Sequence, residues 1–344
     1  MIQNKPIDFT NCPDGHRKYG GSDGKDSIIY NNEPYMIKYT EIRKPENDFQ
    51  SSHVNNVFSE YIGSHIVSSL GIKTHETLLG EYKGNLVVAC KDFRKGDEEL
   101  HEFTWYMLNM YDSSQIGRIP TYNQLYDVLN NNQKLGPIRE KAINRYWETF
   151  VADALIGNFD RHKDNFGYLV SLSSGKIRLA PVYDCGSSIY PGLSSDGMHK
   201  VLNNENEILR RMYEFPKAAL NKSDDIKKED KFGYYELLSS NMDFNCTKAF
   251  LNVYPRINMD KINEIIDAAP YIPTEKKDFY KQILGYRKNL ILDKAYKHLI
   301  KQIDKNKSDV RPSMHKALFN SVNSVNESKE TDCINKKKTH EDLS

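Results

Sequence analysis

Asp160 and Asn165 stand five residues apart in one polar run, Asn158-Phe159-Asp160-Arg161-His162-Lys163-Asp164-Asn165, and Asp184 follows in Tyr183-Asp184-Cys185-Gly186. Two carboxylates and an amide oxygen on two loops form a hard, all-oxygen donor set of the kind Mg2+ takes, and Gly186 lets the backbone turn close beside a bound group. The same five-residue step separates the base from the metal-binding Asn in the pattern H-R-D-x-x-x-x-N. Upstream, Lys38 ends Tyr35-Met36-Ile37-Lys38, which matches the V-A-I-K strand whose lysine pairs with the α and β phosphates of a nucleotide, and Glu60 follows 22 residues later. Tyr19-Gly20-Gly21-Ser22-Asp23-Gly24-Lys25 is a glycine-rich run whose N–H groups can approach phosphate closely. It is not a Walker A loop, because Tyr19 stands where the first glycine belongs and Asp26 follows the lysine. Moving a γ-phosphoryl group requires metal ligands, a group that orients the attacking hydroxyl, and positive charge where negative charge shifts. The sequence offers a candidate for each part, so the chemistry it fits is ATP- and Mg2+-dependent phosphoryl transfer.

Taken singly, each piece has an ordinary alternative. Asp160, Asn165 and Asp184 are common turn and capping residues, Lys38 is an acceptable edge-strand lysine, Glu60 can be solvated helix surface, and the glycines can form a plain hairpin turn. Their order carries the reading: lysine on a strand, glutamate on the next helix, D-x-x-x-x-N after a long apolar helix, then a hairpin ending in D-x-G. Arg161 is expected to tie the loop to carbonyls or to a carboxylate, and His162 either touches nucleotide phosphate or bonds within the loop. The ten histidines show no H-E-x-x-H or other ligand spacing, so zinc chemistry has no support.

These residues need particular elements to hold them. Ser27–Tyr30 and Pro34–Tyr39 read as strands joined at Asn31-Asn32-Glu33, and Thr77–Glu81 and Asn85–Lys91 as a second hairpin turning at Lys83-Gly84. Between them, Val54, Val57, Phe58, Tyr61, Ile62 and His65 recur at helical steps, giving a helix over about His53 to Leu70 with Ser51 or Ser52 as N-cap and Gly71 just past its end. From Glu99 the character turns helical, most clearly over Arg139–Ile156, a broad apolar stripe that stops at Gly157 directly before the polar run. Short strands follow at Phe166–Leu172 and Lys176–Ala180, turning at Ser173-Ser174-Gly175, and further helices at Met259–Ala268 and Lys276–Ile303. From about Asp304 apolar residues are sparse, and the segment reads as a disordered polar tail.

Whole-chain properties limit the function class. At 344 residues the chain has room for two lobes, and 48 Lys plus Arg against 47 Asp plus Glu leave no field that would attract nucleic acid or an acidic membrane. Five scattered cysteines, Cys12, Cys90, Cys185, Cys246 and Cys333, form no C-x-x-C pair, which suits a reducing, cytoplasmic setting. No apolar run approaches the roughly 20 residues that span a bilayer. The expected partner is a protein substrate, with neither direct nucleic-acid binding nor membrane insertion.

The segment Leu155 to Gly167, with Pro181-Val182-Tyr183-Asp184, resembles the HipA-like serine/threonine kinases and their shorter CtkA-like members; the likeness extends over roughly Lys18 to Ile303. Gly21-Ser22-Asp23-Gly24-Lys25 is similar to that family's phosphate loop, and Val88-Ala89-Cys90-Lys91-Asp92-Phe93 to the hinge whose backbone holds adenine. The resemblance implies an α+β, two-lobed protein-kinase-like fold: an N-lobe over 1–95, a helical C-lobe over 96–303 and the tail 304–344. It implies Asp160 as base, Asn165 and Asp184 as Mg2+ ligands, and Lys38 as the ATP lysine paired with Glu60. His162, Lys163, Asp164, Asn165 and Tyr183 would line the nucleotide site, with Ala89, Cys90 and Lys91 around adenine. The family's toxins act on proteins and many are restrained by an antitoxin, which implies an antitoxin-like regulator. Those toxins carry an extra N-terminal subdomain ahead of the phosphate loop, whereas here that loop begins at Tyr19. Their inhibitory phosphoserine aligns with Lys18, leaving Ser22 and Ser27 as candidate autophosphorylation sites. A phosphoinositide or small-molecule kinase shares D-R-H-x-x-N followed by D-x-G, and a nucleotide-binding pseudokinase scaffold shares the fold; the intact Lys38, Asp160, Asn165 and Asp184 speak against the scaffold.

Overall fold

The computed structural model describes Lys5, residues 7–17, Tyr19 and residues 25–308, the last three of them by backbone alone. Lys18, the positions Gly20, Gly21, Ser22, Asp23 and Gly24, and the segment 309–344 lie outside the described residues.

Among the described residues, the small lobe is a five-stranded sheet with one helix. Its strands are β1 (Ile7–Asp8), β2 (Asp26–Tyr30), β3 (Glu33–Tyr39), β4 (Thr77–Tyr82) and β5 (Asn85–Lys91), in the order β1-β4-β5-β3-β2. Both expected hairpins form, and both turn through left-handed residues, Asn31 and Asn32 in one and Lys83 and Gly84 in the other, the two-residue geometry that follows strand twist. Ahead of the glycine run a single bridge joins Asp14 to Ile28, while β1 pairs in parallel with β4 at the other edge. Helix α1 (Asn56–Ser69) starts after the expected Ser51 or Ser52 cap. The N–H groups of Val54 and Asn55 are taken instead by Glu41 O and Pro191 O, which ties that stretch to its neighbours, and Asn55 stands at the N-cap. Gly71 closes α1 at φ +76, as its position predicts.

The large lobe begins with a strand where the sequence suggested helix. β6 (Glu98–Glu102), β7 (Gly167–Ser171) and β8 (Ile177–Leu179) form a three-stranded sheet in that order. Glu-Glu-Leu-His-Glu lacks strand alternation because β6 is an edge strand, set by its register with β7, Leu100 against Leu169. Helices α2 (Phe103–Leu108), α3 (Tyr122–Asn131) and α4 (Arg139–Ile156) follow β6, and α4 has the expected bounds, ending at Gly157 with φ +65. After β8 come α5 (Ser195–Leu202), α6 (Glu205–Tyr213), α7 (Tyr234–Ser239), α8 (Phe244–Val253) and α9 (Met259–Ala268). α10 (Thr274–Tyr286) and α11 (Lys294–Ser308) are one long helix joined by a π-helical stretch, Arg287–Asp293, so helix continues beyond the tail boundary expected at Asp304.

One apolar core runs through both lobes, from Ile62, Ile66, Leu79 and Val88 to Tyr146, Val151, Val182 and Tyr280. A smaller cluster, Phe9, Ile28, Tyr35, Ile37 and Ala89, covers the opposite face of the small sheet. The architecture is therefore α+β and two-lobed. Among the described residues no helix is long and apolar enough to cross a membrane.

Candidate active site

Strand β3 and helix α1 deliver the first pair. Lys38 and Ile37 alternate across the sheet, so burying Ile37 in the smaller cluster aims Lys38 at α1 and the cleft. Lys38 Nζ lies 2.9 Å from Glu60 Oε2 and 2.9 Å from Asp184 Oδ1, joining strand, helix and the loop after β8. Glu60 is buried, and its second oxygen is equally committed: Oε1 accepts from His75 Nε2 at 2.8 Å and from the Cys185 N–H at 3.1 Å. Burial alone would raise the Glu60 carboxyl, but the Lys38 charge and the His75 hydrogen bond outweigh it and hold the group well below the usual carboxylate range. For Lys38, burial favours the neutral amine, while the Asp184 and Glu60 charges override it and keep the ammonium.

Glu60, His75 and Cys90 bring three metal-ligand atom types within 4.8 Å of one another. Both Glu60 oxygens already have partners, and burial keeps the Cys90 thiol protonated, so Lys38, His75 and the Cys185 N–H fix the Glu60 rotamer.

The catalytic-loop residues hang from the end of α4. Asp153, fully enclosed in that helix, takes Arg161 through Nε at 2.9 Å and Nη2 at 3.1 Å, and Asn158 Nδ2 at 3.1 Å. Arg161 Nη1 also donates to Asn165 O at 3.0 Å and to Tyr183 O. One guanidinium thus ties α4, the loop and the Asp184 segment together, the structural part expected of it. Asn165 Nδ2 donates to Asp160 O at 2.7 Å, and among the described residues its Oδ1 has no hydrogen-bond donor, which leaves it an available acceptor. Asp160 is partly exposed, its Oδ1 at 2.9 Å from Arg118 Nη2. His162 Nδ1 accepts the Asp164 N–H at 3.2 Å, so the neutral ring carries its proton on Nε2, which faces Asp160 Oδ2 at 3.8 Å.

Asp184 sits at φ +58, and Ile189 and Tyr190 beyond it are also left-handed. A β-branched residue there is strained; the Ile189 N–H to Ile156 O bond and the Tyr190 hydroxyl to Arg211 O bond hold the conformation. Gly63 of α1 makes close contact with this segment: a Cβ would fall 2.8 Å from both Cys185 Cβ and Ser188 Oγ.

Lys25, Lys38, Glu60, Asp160, Asp184 and Gly186 line one cleft of ≈ 1160 Å³ between the lobes. Asn165 lies just behind Asp160, with His162 beside it. Lys163 and Thr104 are bound to Asp164, and the Tyr183 hydroxyl donates to Asp164 O while its ring stacks on Phe93 at 5.7 Å. The segment expected as the hinge is strand for most of its length. Through Lys91 it is the inner strand β5, flanked on both sides, and Asp92 N–H continues the ladder to Pro34 O. Register pairs Ala89 with Ile37 and Lys91 with Tyr35, on the face away from Lys38, and Lys91 pairs with Glu33; Cys90, opposite Met36, is on the Lys38 face. Ser27 Oγ is closed off from solvent inside β2, so its modification requires that edge to open. Gly20 to Gly24, Ser22 included, lie outside the described residues. Sequence reasoning missed His75, Arg118 and Asp153; a lone carboxylate in the apolar run Phe150 to Ile156 was the available signal for Asp153.

Comparison with known proteins gives the family and the fold. Residues 19–233 match the model of the HipA-like C-terminal domain. The chain is 40% identical over 296 residues to the serine/threonine-protein kinase CtkA of Helicobacter pylori strain J99, covering 86% of this chain and 89% of that one. The crystal structure of a Helicobacter pylori proinflammatory kinase CtkA superposes with a TM-score of 0.79 at 38% identity, over 87% of this chain and 99% of that one. HipA of the Shewanella oneidensis MR-1 toxin-antitoxin system, solved with HipB and operator DNA, shares the fold at 15% identity and a TM-score of 0.50, over 83% of this chain and 68% of that one. The chain belongs to the HipA-like family and is a serine/threonine-protein kinase.

Proposed function

We propose that this kinase binds ATP in the interlobe cleft and transfers the γ-phosphoryl group to a serine or threonine hydroxyl of a protein, with Asp160 as base. The observation that carries the reading is Lys38 at 2.9 Å from both Glu60 and Asp184, which aligns the lysine for the α and β phosphates and brings the D-x-G carboxylate into the same cleft. Asn165 Oδ1 and the second oxygen of Asp184 are the donors that would hold Mg2+, a hard all-oxygen pair matched to that ion. Bound there, Mg2+ supplies charge neutralisation for the β and γ phosphates. Asp160 orients the acceptor hydroxyl and takes its proton; Lys38 and Glu60 keep the nucleotide in place; Lys25, next in sequence to the glycine-rich run, lines the cleft. The working unit is a small lobe through residue 95 and a large lobe from 96, with α11 extending past 303. Autophosphorylation and restraint by an antitoxin-like protein belong to the same reading, and a cytoplasmic setting is supported by the free thiols of Cys12, Cys90, Cys185 and Cys246.

The test is incubation with γ-labelled ATP and Mg2+, alone and with a cell lysate, beside Asp160→Asn, following label into protein and lipid. Label on protein serine or threonine that disappears in the variant is the expected result. Label in lipid instead would replace the acceptor assignment, and nucleotide binding without transfer would make the chain a scaffold.

A further inference from the structure

Phosphoryl transfer needs positive charge at the acceptor end of the cleft as well as at the nucleotide end. The cations of the catalytic loop do not supply it. Arg161 is buried and turned to Asp153, Lys163 is paired with Asp164, and Lys38 is bound between Glu60 and Asp184. His162 stands 3.8 Å from Asp160 and is charged only when protonated. Among the described residues, the permanent cation in contact with Asp160 is Arg118, with Nη2 at 2.9 Å from Oδ1.

Arg118 is placed for that position from outside the loop. It lies on the connection between α2 and α3, and the chain is anchored on both sides of it. Upstream, Gln124 Nε2 donates to Gln115 O at 2.7 Å. Downstream, Ile119 is buried, Pro120 O accepts from the Asn221 N–H at 3.0 Å, and Thr121 caps α3. The backbone is thus held on both sides of Arg118, while the side chain is 70% exposed and, among the described residues, forms its ion pair with Asp160. A fixed Cα carrying a long, solvated guanidinium suits a group that moves between two anionic partners a few ångströms apart.

We propose that Arg118 is a catalytic residue: it holds the Asp160 carboxylate before the acceptor arrives, then contacts the oxygens of the γ-phosphoryl group during transfer. This rests on the assignment of Asp160 as base. In the step itself the acceptor O–H bond breaks and its proton passes to Asp160, and the acceptor oxygen bonds to the γ phosphorus. The bond from that phosphorus to the β–γ bridging oxygen breaks, its electron pair leaving with ADP. Arg118 gains and loses no proton; it neutralises charge on the phosphoryl oxygens as they pass from donor to acceptor.

The experiment measures label transfer from Mg2+ and γ-labelled ATP to dephosphorylated casein and to the chain itself, for wild type, Arg118→Ala, Arg118→Lys and Asp160→Asn, with a melting curve for each. Arg118→Ala is expected to lower kcat by roughly 10²- to 10³-fold, leaving KM for ATP and the melting temperature unchanged, with Arg118→Lys intermediate. Guanidinium ion added at millimolar concentration restores part of the Arg118→Ala rate and none of the Asp160→Asn rate. Arg118→Ala with kcat within twofold of wild type, or with a raised KM for ATP alone, overturns the role of Arg118 and leaves that of Asp160 standing. An Asp160→Asn variant with undiminished transfer overturns the base assignment itself.

Discussion

Asp153 and Arg161 concentrate much of the structural demand of the site in one buried ion pair, with two guanidinium contacts to the carboxylate at 2.9 and 3.1 Å. Removing one partner of such a pair leaves an uncompensated charge in the core, so Asp153→Asn is predicted to destabilise the fold by about 3–5 kcal/mol, read from denaturant unfolding. A change below 1 kcal/mol would mean that Arg161 finds another acceptor. Glu60 leads to a pH prediction. Its carboxyl is held below its ordinary value of 4.5, with burial opposing and Lys38 and His75 prevailing, so below that value the unfolded chain takes up a proton that the folded one refuses. Its stabilising contribution is full above pH 4.5 and is lost as pH falls further. The melting temperature should therefore drop below pH 4.5, and Glu60→Gln should flatten that drop while lowering stability at neutral pH; an unchanged acid limb in the variant would locate the titration elsewhere.

At the scale of elements, α1 and the segment after Asp184 meet where a glycine permits it. Gly63→Ala would ordinarily favour a helix by up to about 1 kcal/mol, yet the added methyl falls 2.8 Å from Cys185 Cβ and Ser188 Oγ. Neither is the end of a flexible chain, so α1 must tilt and carry Glu60 away from Lys38. The variant is expected to lose about 1–3 kcal/mol of stability and most of its kinase activity; wild-type transfer rates would show that the loop, not the helix, yields. The elements that hold this contact were legible unevenly. α4 and its stop at Gly157 could be read because apolar stripe, glycine and polar run follow without a gap, and D-x-x-x-x-N is local. β6 was illegible because its five residues alternate in nothing, and only pairing with β7, about seventy residues on, makes them a strand. His75 and Arg118 were invisible for the same reason: each matters through a partner far away in sequence, and neither carries a periodic signal. Which of Ala89, Cys90 and Lys91 faces the cleft was not legible, because an apolar strand end and a strand exit look alike until register assigns each side chain a face.

For the molecule as a whole, the decisive fact is that the main core crosses the cleft. Ile62, Ile66 and Val88 of the small lobe pack in the same apolar cluster as Tyr146, Val182 and Tyr280 of the large one. The segment 41–55 adds backbone bonds to the strained loop, Ser51 N–H to Gly192 O and Ser194 N–H to Phe49 O. Lobes joined in this way should unfold together. Both tryptophans, Trp105 and Trp147, lie in the large lobe, so their fluorescence reports that lobe, while far-ultraviolet circular dichroism reports both. The two melting curves are predicted to coincide, and a second dichroism step without a fluorescence step would mean that the small lobe melts alone. Because the cleft is built from both lobes, ATP with Mg2+ should shift the whole transition: at a hundredfold excess over Kd the gain is about 2.7 kcal/mol. Asp184→Asn should keep the shift produced by nucleotide alone and lose the part that Mg2+ adds. An equal Mg2+ increment in the variant would place the metal on other ligands and remove Asp184 from that role.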